Sequence, residues 1–267
     1  MGPVITFLSD YGHDDDFVGV CHGVIAGIAP DARVIDVTHG IPRHDVRSGA
    51  LALRRALPYF PPGVHLAVVD PEVGGERRAV AVRTAQDDRI LVGPDNGLLA
   101  PAVEGFGGAV AAIDISRSPH RLQPVAATFH GRDIFAPVTA HLAAGAPFAA
   151  AGDPLDVGEL TALTMPHARR EDDGGGVVAH ALAFDRFGNV MLDVEHAELA
   201  GSGLRLGRPV RINDEPAHYA RTFADVPPGE LLLYEDAYRT LALAVNRGSA
   251  ALHLGLDLDA EVRIRPA

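Results

Sequence analysis

The chain has 267 residues, 47% of them apolar, enough for one large globular domain or two modest ones with a substantial core. Its formal net charge of −12 argues against electrostatic binding to nucleic acid or to an anionic membrane surface, and no apolar run is long enough to span a bilayer. The N-terminal Met-Gly-Pro-Val-Ile-Thr enters a strand pattern without the basic and small-residue features of a secretory signal, and Cys21 is the single cysteine. An intramolecular disulfide and a cysteine-rich zinc site are therefore excluded, and a cytoplasmic protein is expected.

Val4 to Leu8 is a β-branched apolar run, followed by a polar turn and then by Phe17 to Ala29, whose spacing suits a helix. Within that helix Cys21 reads as a small packed hydrophobe rather than a nucleophile. Val34 to Val37 reads as a strand, Asp45 to Leu57 as a helix and Val64 to Val69 as a third strand. Ala79 to Arg83 and Ile90 to Val92 add strands, while Gly97 to Val103 and Ile134 to Ala144 suit helices. This alternation implies a mainly parallel α/β sandwich domain over residues 1–165. Residues 166–176 gather Arg169-Arg170-Glu171-Asp172-Asp173 and three glycines, the composition of a linker. Beyond it Val177 to Phe184, Pro209 to Ile212, Leu231 to Leu233, Leu241 to Val245 and Val262 to Ile264 are short strand-like runs. They imply a smaller antiparallel β-barrel domain over residues 177–267.

In parallel α/β sheets ligands bind beyond the carboxyl ends of the strands, and the loops expected there are rich in carboxylates and histidines. The first carries Ser9-Asp10-Tyr11-Gly12-His13-Asp14-Asp15-Asp16, the second Thr38-His39-Gly40 and His44-Asp45, and the third Asp70-Pro71-Glu72-Val73-Gly74-Gly75-Glu76-Arg77. Later loops add Gly93 to Gly97 and Thr128 to Asp133. One reading is a divalent metal centre that activates water, making the protein a metal-dependent hydrolase. The spacing is unspecific for a metal, and Asp14 and Asp16 equally suit a helix start. The other reading is a polar pocket in which a strand-end carboxylate such as Asp10 accepts hydrogen bonds from a ribose diol. No Walker-type loop and no Gly-x-Gly-x-x-Gly follows a strand, so a diphosphate is not expected.

The same loops spell Ser-Asp-Tyr-Gly-x-x-Asp-x-Phe-Val-Gly, Asp-Val-Thr-His-Gly-Ile-Pro, Val-Val-Asp-Pro-x-Val-Gly, Gly-Pro-Asp-Asn-Gly-Leu-Leu and Thr-Phe-His-Gly-Arg-Asp, with Asp-x-Phe-Gly-Asn at 185–189. Together they resemble the S-adenosyl-L-methionine (SAM) hydroxide adenosyltransferases, the adenosine-forming SAM hydrolases related to fluorinase and chlorinase. The resemblance runs in order from about Val4 to Arg263. It implies hydrolysis of SAM to adenosine and L-methionine by in-line attack of a water-derived hydroxide on the ribose C5′, with no cofactor and no metal. The matching catalytic positions are Asp70, Arg77 and His130. Arg78 is adjacent, so the choice of Arg77 rests on spacing. The halide-using relatives carry non-ionisable residues where this chain has Asp70 and His130, which favours water over halide. Each position also has a plainer use: Asp70 as a turn start, Arg77 as a surface charge, His130 as a helix cap.

For substrate binding the resemblance places Asp10 on the ribose diol and Asp15 with Asp185 near the methionine ammonium. It puts Phe187 and Phe223 against the adenine faces, with Asn189, Asn246 and Arg247 at the polar edge; packing in the barrel core is the alternative for both phenylalanines. Tyr238 lies in Glu235-Asp236-Ala237-Tyr238-Arg239, which departs from the family's Asn-Ser-Tyr-Gly wording and leaves the methionine carboxylate contacts there open. The family pattern implies a homotrimer whose pocket lies between the α/β domain of one subunit and the barrel of its neighbour. A metal-dependent hydrolase, a SAM- or adenosine-binding protein without turnover, and transfer to halide are the competing functions.

Overall fold

The computed structural model describes residues 2–171 and 175–267; Met1 and the linker residues Asp172, Asp173 and Gly174 lie outside the described residues. The chain divides into two compact units, Met1–Leu163 and Thr164–Ala267.

In the first unit β1 (Val4–Ser9), β2 (Arg33–Thr38), β3 (Val64–Val68), β4 (Ala79–Thr84), β5 (Ile90–Pro94), β6 (Ala109–Asp114) and β7 (Asp153–Leu155) form one sheet in the order β2-β1-β3-β5-β4-β6-β7. The four strands β2, β1, β3 and β5 are mutually parallel, and β4, β6 and β7 extend the sheet through antiparallel pairs. β3 is buried along its whole length, as a parallel strand covered on both faces requires. From β1 the chain runs through α1 (Phe17–Ile28) to β2 on one side. It then returns through α2 (Val46–Ala56) to β3 on the other side. The gap between the C-terminal ends of β1 and β3 is therefore a topological switch point, where the two following loops diverge and leave a crevice.

Local chemistry fixes the helices. Asp45 caps α2 by accepting from the Ser48 amide at 2.9 Å, and Arg54 and Arg55 complement the dipole at its last turn. Cys21 is fully buried in α1, where burial pushes its thiol up to about 12, so it is not a thiolate nucleophile. α3 is short, Ala100–Gly105, beginning three residues later than the Gly97 start expected from the pattern. The expected helix from Ile134 is instead a π-helical turn, Gly131–Phe135, running into α4 (Ala136–Ala143). Within the π turn, buried Asp133 accepts from the Ala126 amide at 2.7 Å and from Arg132 at 2.6 and 2.9 Å, tying the turn to the preceding segment.

In the second unit β8 (Arg169–Arg170), β9 (Val177–Phe184), β10 (Val190–Glu195), β11 (Pro209–Ile212), β12 (Glu215–Tyr219), β13 (Leu231–Glu235), β14 (Thr240–Val245) and β15 (Glu261–Pro266) form one sheet. Because β9 pairs with both β15 and β10, seven of these strands close into a barrel. Alternate residues such as Val177, Ala179 and Ala181 on β9 and Val190, Leu192 and Val194 on β10 fill the interior. All the barrel pairings are antiparallel except β12 with β13. There the connection 220–230 carries the chain back to the starting end of β12 before β13 begins. β10 and β12 are absent from the sequence reading because charged or proline residues interrupt their apolar runs. Among the described residues no helix is long and apolar enough to cross a membrane.

Leu243 is fully buried inside the barrel on β14. Leu243→Ala should cost about 2–5 kcal/mol of stability, measured as a fall in the denaturant midpoint; an unchanged midpoint would contradict this packing.

Candidate active site

The loops after β1 and β3 meet the segment before the π turn at the switch point, enclosing a pocket of about 620 Å³. Asp10, Asp15, Asp70 and His130 all line it, together with Tyr11, Asp14, His39 and His44. Every lining group lies in the first unit.

Arg77, just before β4, closes the back of this arrangement. Its Nε donates to Asp70 Oδ1 at 2.9 Å and its Nη2 to Asp70 Oδ2, a side-on pair whose side chains are only 5% and 6% exposed. The same Nη2 donates to His130 Nδ1 at 2.8 Å. The guanidinium also lies over the Phe135 ring, 5.2 Å from its centroid, so the π turn supports it from below. Arg78 turns away, to Asp95 at 3.0 Å and to Glu159 at 3.0 and 2.6 Å. Arg77, and not its neighbour, therefore joins the carboxylate to the imidazole.

This contact fixes the state of His130. A guanidinium carries only donors, so Nδ1 must present its lone pair and the imidazole proton must sit on Nε2. Burial, and then the positive charge of Arg77, push the His130 pKa down, with Asp70 opposing. His130 is thus a neutral ring whose free N–H is a donor, beside a carboxylate that is an acceptor. It begins the π turn without capping it through its side chain.

Tyr11 and Gly131, to which the sequence assigns no role, shape the pocket wall. The Tyr11 ring packs against Phe7, Phe17 and Phe129, and burial pushes its phenol pKa well up. A Cβ at position 131 would collide with the Tyr11 hydroxyl, so the glycine is required by close approach. Asp10 Oδ2 accepts from the His44 amide at 2.9 Å, which orients the carboxylate. His44 itself adopts φ +65, a strained conformation for a non-glycine residue.

The remaining candidates lie in the second unit. Asp185 organises the β9–β10 turn: its carboxylate accepts from the amides of Phe187 and Asn189 at 2.8 and 2.9 Å and from Asn189 Nδ2 at 2.7 Å. Gly188 packs against Ser249, and its carbonyl accepts from the Ala251 amide at 3.0 Å, which brings this turn beside the one carrying Asn246 and Arg247. Asn246 Nδ2 donates to the Val226 carbonyl at 2.7 Å. Phe187 and Phe223 are 71% and 41% exposed, so neither belongs to the barrel core. Phe223 instead packs outside the barrel, 5.1 Å from the Tyr234 ring. Tyr238 is also exposed, in the β13–β14 turn, where its amide donates to Asp236 at 2.8 Å.

Set beside known proteins, the two units correspond to the two parts of one family. Residues 5–152 match the SAM hydroxide adenosyltransferase N-terminal domain and residues 179–263 its C-terminal domain, and the chain belongs to this family. It is 49% identical over 263 residues, 98% of this chain and 97% of the relative, to the (R)-S-adenosyl-L-methionine hydrolase of Salinispora tropica. A fluorinase of Actinopolyspora mzabensis is 30% identical, with 98% of this chain and 97% of that protein covered. A crystal structure of an uncharacterized conserved protein from Thermotoga maritima superposes with a TM-score of 0.89 at 35% identity, covering 98% of this chain and 99% of the other.

In NMR spectra of the ring nitrogens, His130 should carry its proton on Nε2 and titrate below the ordinary imidazole value of about 6.5. Arg77→Ala should raise that midpoint, because the variant removes a charge that opposes protonation. A wild-type midpoint at or above the ordinary value would contradict the assigned contact.

Proposed function

We propose that the chain hydrolyses SAM to adenosine and L-methionine, with water as the nucleophile at the ribose C5′. The observation that carries this reading is the buried Asp70–Arg77–His130 cluster, in which an acceptor and a neutral N–H donor border one pocket. The hydrolase relatives support the same substrate and reaction class.

The chemistry follows from the substrate. SAM is a sulfonium, so its leaving group departs as a neutral thioether and needs no general acid. A water oxygen bonds to C5′, the C5′–S bond breaks with its electron pair going to sulfur, and one proton is released. Asp70 is the group that accepts this proton, since Arg77 stays charged and the His130 Nδ1 lone pair is already taken. His130 aims the water oxygen through its Nε2–H, and Arg77 steadies both partners. Such general-base help is typically worth about 10²–10⁴-fold, and in-line aim adds a separate orientation term.

Around this centre, Asp10 is proposed to take the ribose diol and Asp15 the methionine ammonium. Asp185 is proposed to assist through lone pairs its turn leaves free, while Phe187, Phe223, Asn189, Asn246 and Arg247 hold the adenine and Tyr238 borders the methionine end. The exposure of Phe187, Phe223 and Tyr238 suits rings that meet a ligand and a second copy of the chain. A homotrimer in a cytoplasmic setting completes the proposal.

Asp70→Ala, Arg77→Ala and His130→Ala should each lower kcat about 10²-fold or more while KM for SAM stays near wild type. Parallel loss of affinity and rate would make them substrate ligands instead. Chromatography of the products, with and without chloride, should show adenosine in both cases; a halogenated nucleoside would overturn the water reading. Mixing inactive Asp70→Asn and Asn189→Ala proteins should restore part of the activity, and no recovery after verified subunit exchange would place the whole site within one chain.

A further inference from the structure

His22 on α1, Asp36 on β2 and His39 just after β2 point their ligand atoms at one another, and the cluster shares no residue with Asp70, Arg77 and His130. His22 Nε2 lies 2.8 Å from Asp36 Oδ1 and His39 Nε2 lies 3.1 Å from the same oxygen. All three ligand atoms fall within 4.8 Å of one another. We propose that His22, Asp36 and His39 form a three-ligand site for a divalent transition metal of the zinc class, at the flank of the substrate pocket. The inference does not depend on the reaction assigned above.

The strongest sign is the state of His39. Its side chain is 0% exposed, and its Nδ1 is 2.7 Å from Ser9 Oγ. Nε2 has no aligned hydrogen bond despite its closeness to Asp36. The Ser9 contact serves either tautomer, and with the proton on Nδ1 the ring presents its Nε2 lone pair toward the Asp36 oxygen. A bound cation would select that tautomer and lie between the lone pair and the carboxylate, in place of the proton that Nε2 otherwise turns toward Asp36 at 3.1 Å. Donation of the second ring N–H to a fixed oxygen is also the usual way in which a metal-bound histidine is oriented.

Ligand type narrows the ion. Two imidazoles and one carboxylate suit zinc, cobalt, nickel or copper rather than magnesium or calcium, which favour all-oxygen sets. Bonds of about 2.0–2.2 Å in tetrahedral geometry place neighbouring ligand atoms roughly 3.3–3.5 Å apart, so each imidazole would move slightly off the Asp36 oxygen, from 2.8 and 3.1 Å. The Phe7 ring lies against both imidazoles, with centroids 6.0 Å from His22 and 4.6 Å from His39, and so backs the site with an apolar wall. His22 and Asp36 are 35% and 39% exposed, which leaves an entry side and a fourth position for water. His13, edge-on to His39 at 5.4 Å, supplies a further imidazole nearby.

A bound ion would do more than tie α1 to β2. Ser9 Oγ also accepts from the Tyr11 amide at 3.2 Å, and the His39 carbonyl accepts from the Gly12 amide at 2.8 Å. The site is therefore joined to the Asp10–Gly12 loop, and its ion would stiffen one wall of the pocket without touching the reacting atoms.

The test uses the full chain stripped with a chelator, then titrated with Zn²⁺ alone against a chromogenic competitor and with Co²⁺ alone by visible absorption. His22→Ala and the near-isosteric Asp36→Asn serve as variants, with circular dichroism to confirm folding. One equivalent of Zn²⁺ should bind the parent at least about 10-fold more tightly than either folded variant. Co²⁺ should give a tetrahedral-type absorption that both variants lose, and Zn²⁺ should raise the melting temperature of the parent alone. Parent affinity no greater than that of the variants, or the absence of the cobalt signal, would show that the cluster holds only protons and would overturn the proposal.

Discussion

A single guanidinium ties together the buried polar cluster of the first unit. Arg77 stands between Asp70 and His130, with its pair to Asp70 almost wholly removed from solvent, and it is stacked over Phe135. Withdrawing either member of such a buried pair typically costs about 3–5 kcal/mol, because the remaining charge has no partner. The loop after β3, the start of β4 and the π turn are therefore held in one register by electrostatics as well as by packing. The same contact decides protonation: with Arg77 donating, His130 is left a neutral donor and the carboxylate is the only base in the cluster.

That division of roles bears on the choice of nucleophile. A halide ion brought beside Asp70 would meet a negative charge in a largely buried setting, whereas water is attracted to the carboxylate and, in the proposed mechanism, surrenders a proton to it. The substrate cation is neutralised as the reaction proceeds, so a pocket bordered by Asp10, Asp15 and Asp70 favours its approach. Chain topology supplies the place for the proposed chemistry, since β1 and β3 send their loops apart and His130 lines the resulting crevice.

Much of this was legible in the residues. The alternation of apolar runs with helical spacing located β1, α1, β2, α2 and β3 within a residue or two, because β1 and β3 are almost wholly buried and β2, a partly exposed edge strand, is bounded by the Pro30-Asp31 and Gly40 turns. The barrel was legible as a class, while β10 and β12 were missed because Asp193 and Pro216, on the outward side of the alternation, interrupt a continuous apolar run. The π turn was not readable, since the apolar spacing of Ile134 to Ala144 suits an ordinary helix and nothing in it marks the wider turn over Gly131–Phe135. Motif order brought Asp70, Arg77 and His130 to notice, but only coordinates separate Arg77 from Arg78 or reveal which nitrogen of His130 bears the proton. Likewise the convergence of His22 and His39 on Asp36 is not legible in the residues, because it arises from the parallel pairing of β1 with β2 and the packing of α1.

The most direct measurement is a single turnover of SAM in water enriched in ¹⁸O, with mass analysis of both products. If a solvent molecule steered by Asp70 and His130 attacks C5′, one heavy oxygen appears in adenosine, at its 5′-hydroxyl, and none in methionine. Unlabelled adenosine, or label in the amino-acid fragment, would contradict the account.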